Sequence, residues 1–192
     1  DGTDVSWGAI GGTPRVYYVA TNGVDSAGRG GSVDTAWQTV KYACSQIGTP
    51  TATTPAIIFI KGGVYLESQL PIIVPPYTTI TGDSLRTTII KPAAGLDSGG
   101  SVLNNKSTLF RLSNGDIVQD LVCDGMTGYT VGSPGYDPTV ATLGGVYFAL
   151  NSASTITDKS PYIYNVTTFG DGATGAYTVS YTHLRAHETS SY

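Results

Sequence analysis

Four aspartates, Asp83, Asp116, Asp120 and Asp124, are the first residues to weigh for chemistry, in a chain of which only 12% is charged. Two carboxyls cleave a glycosidic bond when one face holds them roughly 5 to 9.5 Å apart, one of them protonated. The spacing opposes this. Asp120 and Asp124 are four residues apart, about 13 Å along an extended strand, and Asp116 and Asp120 repeat that separation. A pair formed across neighbouring strands, such as Asp83 with Asp120, is not readable from spacing. Turn or corner roles, with each carboxylate accepting backbone N–H bonds, are the simpler expectation. A polysaccharide lyase would need a calcium-binding carboxylate cluster and a basic residue to take the proton α to a carboxyl group. Arg86 and Arg111 supply a base without such a cluster. Arg86 follows residues 82–85 (GDSL), which match a hydrolase tetrapeptide but lack its helical context and histidine. It is expected to be a turn arginine, solvated or paired with Asp83.

Both histidines, His183 and His187, stand at i, i+4, a spacing that on a helix could bind a metal. They lie within residues 179–189 (VSYTHLRAHET), a polar stretch without the Gly-rich, β-branched character before it. This stretch resembles a translated frame of sequencing-adapter DNA, so residues 179–192 are expected to be a non-native tail, with the natural chain continuing past Thr178. The start at Asp1 without methionine would follow from processing, trimming or an incomplete reading frame. With the tail set aside no histidine remains, which excludes Ser-His, Cys-His and His-metal chemistry from the rest of the chain. Its net charge stays at −4, since Arg185 and Glu188 cancel. Cys44 and Cys123 show neither CxxC nor Cys/His spacing and read as small core residues. The loop NGVDSAGRGGS has glycine and aspartate but no GK[ST] and no spaced carboxylates, so it is expected to be a flexible connection. Tyr129 and Tyr136, in a Gly/Pro-rich stretch, are the candidates for stacking on a glycan, the alternative being that they pack on the protein's own wall. No catalytic residue, cofactor or metal ligand is assigned.

The elements that must position these residues are strands. Gly 25, Pro 10 and Tyr 13, with many Thr, Val and Ile, match short strands joined by tight turns. A pI near 4.9 offers no basic stripe for nucleic acid, and no apolar run reaches membrane-spanning length. Apolar runs of strand length recur at 16–20, 56–61, 64–67, 72–74, 78–81, 87–91, 109–112, 117–123, 146–150 and 162–168. Each is bounded by Gly, Pro, Asn or Asp. Before them, residues 1–15 read as an extended arm in which Trp7 can pack on a neighbour. Residues 34–47 read as one amphipathic helix, N-capped by Asp34 or Thr35 and stopped by Gly48, with Trp37, Val40, Ala43/Cys44 and Ile47 on its apolar face. Residues 125–145 read as an insert that loops out. Regular strand spacing fits a sandwich or a solenoid. One echo favours the solenoid: Val118-x-Asp120-Leu121-x-x-x-Gly125 returns as Ile163-x-Asn165-Val166-x-x-x-Gly170, an offset expected to span about two coils, with Asp120 and Asn165 at a corner.

Three motifs in order, YYVATNGVDS, WQTVKYA and GGVYLES, together with the run from AIIFIK to IIKP, resemble the first coils of the pectate-lyase-like superfamily. The resemblance spans roughly residues 16–93. It implies a right-handed, single-stranded parallel β-helix over residues 16–178, with the helix as a cap over the open end of the coil. DGTDVSWG and DKSPYIYNVTTFGDGATG resemble virion structural proteins of marine contractile-tailed bacteriophages. That resemblance implies a stiff tail-fibre or baseplate component, homotrimeric at full length, assembled in the host cytoplasm and located in the virion tail. Its implied partners are other virion tail proteins and host surface polysaccharide, with no nucleic acid and no membrane insertion. A tail-borne polysaccharide depolymerase with its carboxylates elsewhere, or a carbohydrate-binding module without turnover, is the rival class.

Overall fold

The structure is a computed structural model that describes residues 13–93, 108–124, 146–150, 161–169 and 180–181. In chain order its elements are β1 (Arg15–Val19), α1 (Val40–Gln46), β2 (Ala56–Ile60), β3 (Gly63–Glu67), β4 (Ile72–Ile73), β5 (Thr78–Gly82) and β6 (Thr88–Pro92). Then follow β7 (Thr108–Leu112), β8 (Ile117–Asp124), β9 (Val146–Leu150), β10 (Tyr162–Phe169) and β11 (Ser180–Tyr181). The class is parallel β, and each apolar run named above carries a strand.

The strands form three parallel ladders. The first runs β1-β2-β5-β8-β10, the second joins β3, β6 and the later half of β8, and the third runs β4-β7-β9. From β2 onward the chain visits first, second and third ladder in turn, then repeats the cycle. Only β11 breaks the pattern among the described residues, pairing antiparallel with β10 at Thr167 and Thr168.

Register explains why this order is stable. Strand side chains alternate between faces, so residues matched across a ladder share a face. Ile58, Ile80 and Val118 are matched and fully buried, and Ile163 continues their row. Tyr65, Ile90 and Cys123 form the corresponding row of the second ladder, and Ile72, Phe110 and Phe148 that of the third. Phe110 and Phe148 stack with centroids 5.8 Å apart. Burying each such aliphatic side chain contributes about 1.5 to 3 kcal/mol. Cys123 fills one site in a row and Cys44 one on α1, so both cysteines are core residues, with burial pushing each thiol up.

Two expectations need correction. The helix begins at Val40, with Thr39 rather than Asp34 or Thr35 as its cap. Residues before it are committed elsewhere: Trp37 N–H donates to the Tyr18 carbonyl and its own carbonyl accepts from Ala20, a pairing that excludes helical bonds there. The C-terminal end is as expected, with Gly48 at φ 74. The second correction concerns the echo. Ile163 pairs with Val118 and Val166 with Leu121 directly, so the 45-residue offset is one ladder step rather than two coils. The chain between the strands, not an intervening strand of this ladder, accounts for the length. The arm as far as residue 12, the insert 125–145 with Tyr129 and Tyr136, and all of the 179–192 tail except β11 lie outside the described residues.

Candidate functional site

The three resemblance motifs lie far apart in sequence and converge at the N-terminus of α1. Asp25 comes from the loop after β1, Thr39 caps the helix, and Glu67 ends β3. Each has a local reason to be there. Tyr65 and Glu67 stand two apart on β3, so the pleat sends both inward, and Glu67 is 1% exposed. Trp37 anchors the loop: its Nε1 donates to the Ser26 carbonyl at 3.1 Å and its ring stacks on Tyr17. Gly30, at φ 88, is required, because a Cβ there would come 2.5 Å from that ring.

A helix leaves its first N–H groups without intrahelical partners. Here side chains take them in sequence. Asp25 Oδ1 accepts from Gln38 N–H at 2.7 Å and Thr39 N–H at 3.0 Å, while its Oδ2 accepts from the Thr39 hydroxyl at 2.7 Å. Glu67 Oε1 accepts from Val40 N–H at 2.7 Å and Oε2 from Lys41 N–H at 3.2 Å. Thr39 Oγ1 accepts from Tyr42 N–H. Lys41 Nζ donates to the Pro71 carbonyl at 2.6 Å, drawing the helix toward β4. The loop expected to be a flexible connection is thus fastened at both Asp25 and Trp37.

Burial pushes Glu67 up from 4.5 to about 7, against the two N–H groups that favour its charged form, and nearby Asp25 adds to the rise. A carboxyl near neutrality beside a second carboxylate is the pattern of a general acid and base. Its position argues for a structural role instead. A cleft of about 220 Å³ opens beside it, lined by Asp25, Thr39, Lys41, Tyr42, Ser45 and Glu67 among others. Within that cleft Glu67 is covered, and both its oxygens are turned to the helix backbone, tying β3 to α1.

The aspartates singled out by the sequence are likewise engaged across strands. Asp116 is fully buried, accepting from Ser113 N–H at 2.6 Å and Thr78 N–H at 3.1 Å, and burial raises it to about 7. Asp120 and Asn165 both adopt left-handed backbone, at φ 58 and 48, and Asn165 Nδ2 donates to Asp120 Oδ1 at 2.7 Å. Gly82 sits opposite that corner, and a Cβ there would lie 2.2 Å from the Asp120 carbonyl oxygen. Asp124 pairs with Lys91 at 3.6 Å. Asp83 pairs with Lys61 at 3.2 Å, not with Arg86, whose backbone N–H instead donates to Ser84 Oγ. Of the four, Asp116 accepts backbone N–H bonds as expected and Asp120 sits at a left-handed corner facing Asn165, whereas Asp83 and Asp124 pair with lysine side chains instead.

Sequence reasoning passed over Asp25 and Glu67. An available signal was Glu67 itself, an acid at an inward-facing position of an alternating strand, which requires buried donors. Among the described residues no group of three or more His, Cys, Asp or Glu is placed to hold a metal, and no helix is long and apolar enough to cross a membrane. The chain matches no protein-family description, no curated protein and no solved structure.

Proposed function

We propose that the chain is the capped end of a right-handed parallel β-helix that serves as a rigid structural part of a tailed-phage virion, in a tail fibre or baseplate, with other tail proteins as partners. The observation that carries this reading is the cyclic order of three parallel ladders whose leading strands, β1, β3 and β4, all contact α1. A rod needs stacked coils with one sealed end, and an enzyme needs free functional groups in an open cleft. Glu67, Asp116 and Asp120 are engaged in capping and in strand-to-strand ties. The motifs at both ends of the chain support the phage assignment through their resemblance to virion proteins.

The test uses phage particles carrying this gene, labelled for electron microscopy with antibody raised against residues 13–93. Label on the tail is expected, and particles left unlabelled would remove the assignment. In parallel, the complete reading frame would be incubated with host polysaccharide. Release of reducing sugar would overturn the structural reading in favour of a depolymerase.

A further inference from the structure

The leading strands of the ladders are not finished alike. On the outer edge of β1, Tyr18 N–H donates to the Gly30 carbonyl at 2.9 Å, Trp37 N–H to the Tyr18 carbonyl at 3.0 Å and Ala20 N–H to the Trp37 carbonyl at 2.9 Å. Among the described residues β3 has no such cover. Gly63 N–H donates to the Thr87 carbonyl at 2.7 Å and the Glu67 carbonyl accepts from Ala93 N–H at 2.9 Å, so Gly63, Tyr65 and Glu67 turn their backbone groups to β6. Successive residues of a strand in a parallel sheet bond to opposite sides, which sends the N–H and C=O of Val64 and Leu66 to the other edge. No described residue pairs with them there. The helix meets β3 at Glu67 instead, through the Val40 and Lys41 N–H groups. Along the open edge lies a second cleft, of about 300 Å³, lined by Thr21, Gln38, Thr39, Val64, Tyr65 and Leu66. Thr21 closes one end, where its methyl would lie 2.5 Å from a Cβ on Gly63, and the Glu67 tie to α1 closes the other. Between these bounds β3 offers about 13 Å of edge. The side chains of Val64 and Leu66, 52% and 54% exposed, flank it on the outer face.

We propose that this cleft is a docking site for a short extended segment of a partner protein, which adds to β3 as a further strand. The donors and acceptors of Val64 and Leu66 alternate at the two-residue repeat of a strand, a pattern that another extended backbone matches. The six residues that line the cleft carry no charge, so the segment that complements them is uncharged. Paired residues share a face, and the segment therefore places apolar side chains beside Val64 and Leu66 and a small one beside the inward-facing Tyr65, where α1 lies close. A second copy of the chain suits the site less well: its own β3 edge is walled by Thr21 and α1, and both walls would meet those of the first copy. The inference stands on the register of β3 and on the cleft beside it, not on the phage assignment.

The test uses the full chain and a set of blocked, fluorescein-labelled pentapeptides, Thr-Val-X-Val-Thr, with Gly, Ala, Ser or Thr at X. Amide exchange followed by NMR in the free protein is expected to be about tenfold or more faster at Val64 and Leu66 than at Tyr65. Equal protection would show the edge already paired and overturn the proposal. Fluorescence anisotropy is expected to detect binding of at least one peptide below about 1 mM, with the Val64 and Leu66 amides slowed in the complex. N-methylation of the three inner peptide residues keeps the side chains, removes the donors and is expected to abolish binding. Leu66→Pro removes a donor from the open edge while sparing the bonds to β6, and is expected to weaken binding about tenfold or more. Failure of every peptide to bind below that concentration overturns the site. So does binding indifferent to N-methylation and to Leu66→Pro. If Leu66→Pro loses its far-UV circular dichroism strand signal, Val64→Lys, which sets a charge beside an apolar peptide side chain, decides by the same criterion. A wild-type dimer in sedimentation velocity that Leu66→Pro dissociates would give the edge to a second copy and overturn the peptide partner.

Discussion

At the scale of single residues, the pair Asp120 and Asn165 shows how one position can be specified twice. Each adopts left-handed backbone, which costs most residues about 1 kcal/mol or more and is tolerated best by Gly, Asn and Asp. Each also completes a hydrogen bond to the other. Asn165→Ala loses both advantages and is expected to lower stability by about 2 kcal/mol, while Asn165→Gly keeps the backbone freedom and loses about 1 kcal/mol. Urea unfolding measures both, and equal midpoints for wild type and Asn165→Ala would refute the corner role. This corner was legible in sequence because the Asp and Asn recur within matching aliphatic frames. Its step size was not, because counting residues assumes connections of constant length. The partners of Asp83, Asp25 and Glu67 were hidden for a related reason: each contact joins segments whose adjacency depends on the fold.

At the scale of elements, two buried carboxyls tie pieces of backbone together, Glu67 joining β3 to α1 and Asp116 joining the turn before β8 to the start of β5. Burial raises both to about 7 in the folded chain, above their ordinary values of 4.5 and 3.8. The folded state therefore holds these protons more tightly than the unfolded one. Their contribution to stability is complete below the ordinary values and is lost as pH rises through about 7. Unfolding midpoints are expected to fall between pH 5 and pH 8, with a shallower fall in Glu67→Gln and in Asp116→Asn. A wild-type midpoint that rises over this range would contradict the assignment. Strand positions were readable at this scale, since alternation and turn residues are local properties. The start of α1 was not: Asp25, 14 residues before Thr39, and the strand-like pairing of Trp37 override the local helical spacing.

At the scale of the whole molecule, the ladders share a core in which each inward row runs through successive strands. Ile80 lies mid-row, matched to Ile58 on one side and Val118 on the other, all three fully buried. Ile80→Ala is expected to cost about 3 to 4 kcal/mol, since a closely packed row cannot collapse around the void. Loss of the same amount from the exposed Ile73, where Ile73→Ala should cost under 1 kcal/mol, would show that row position does not set the penalty. Composition and strand spacing made the β class legible and left sandwich and solenoid open; the echo and the motif resemblance pointed to parallel strands, while the assignment of strands to three ladders needed the register itself.

Matched residues on adjacent strands of the first ladder are 22 apart between β2 and β5, 38 between β5 and β8, and 45 between β8 and β10, yet the pairing is regular throughout. The alignment of the wall is therefore indifferent to how much chain is spooled out between its courses. Doubling a connection costs only about 0.6 kcal/mol in closure entropy, little against a row of buried aliphatics. Such a scaffold can trade one excursion for another, in length and composition, while its masonry stays the same. Variation is then free to accumulate in the spans between strands, where selection for new contacts would not compete with selection for folding.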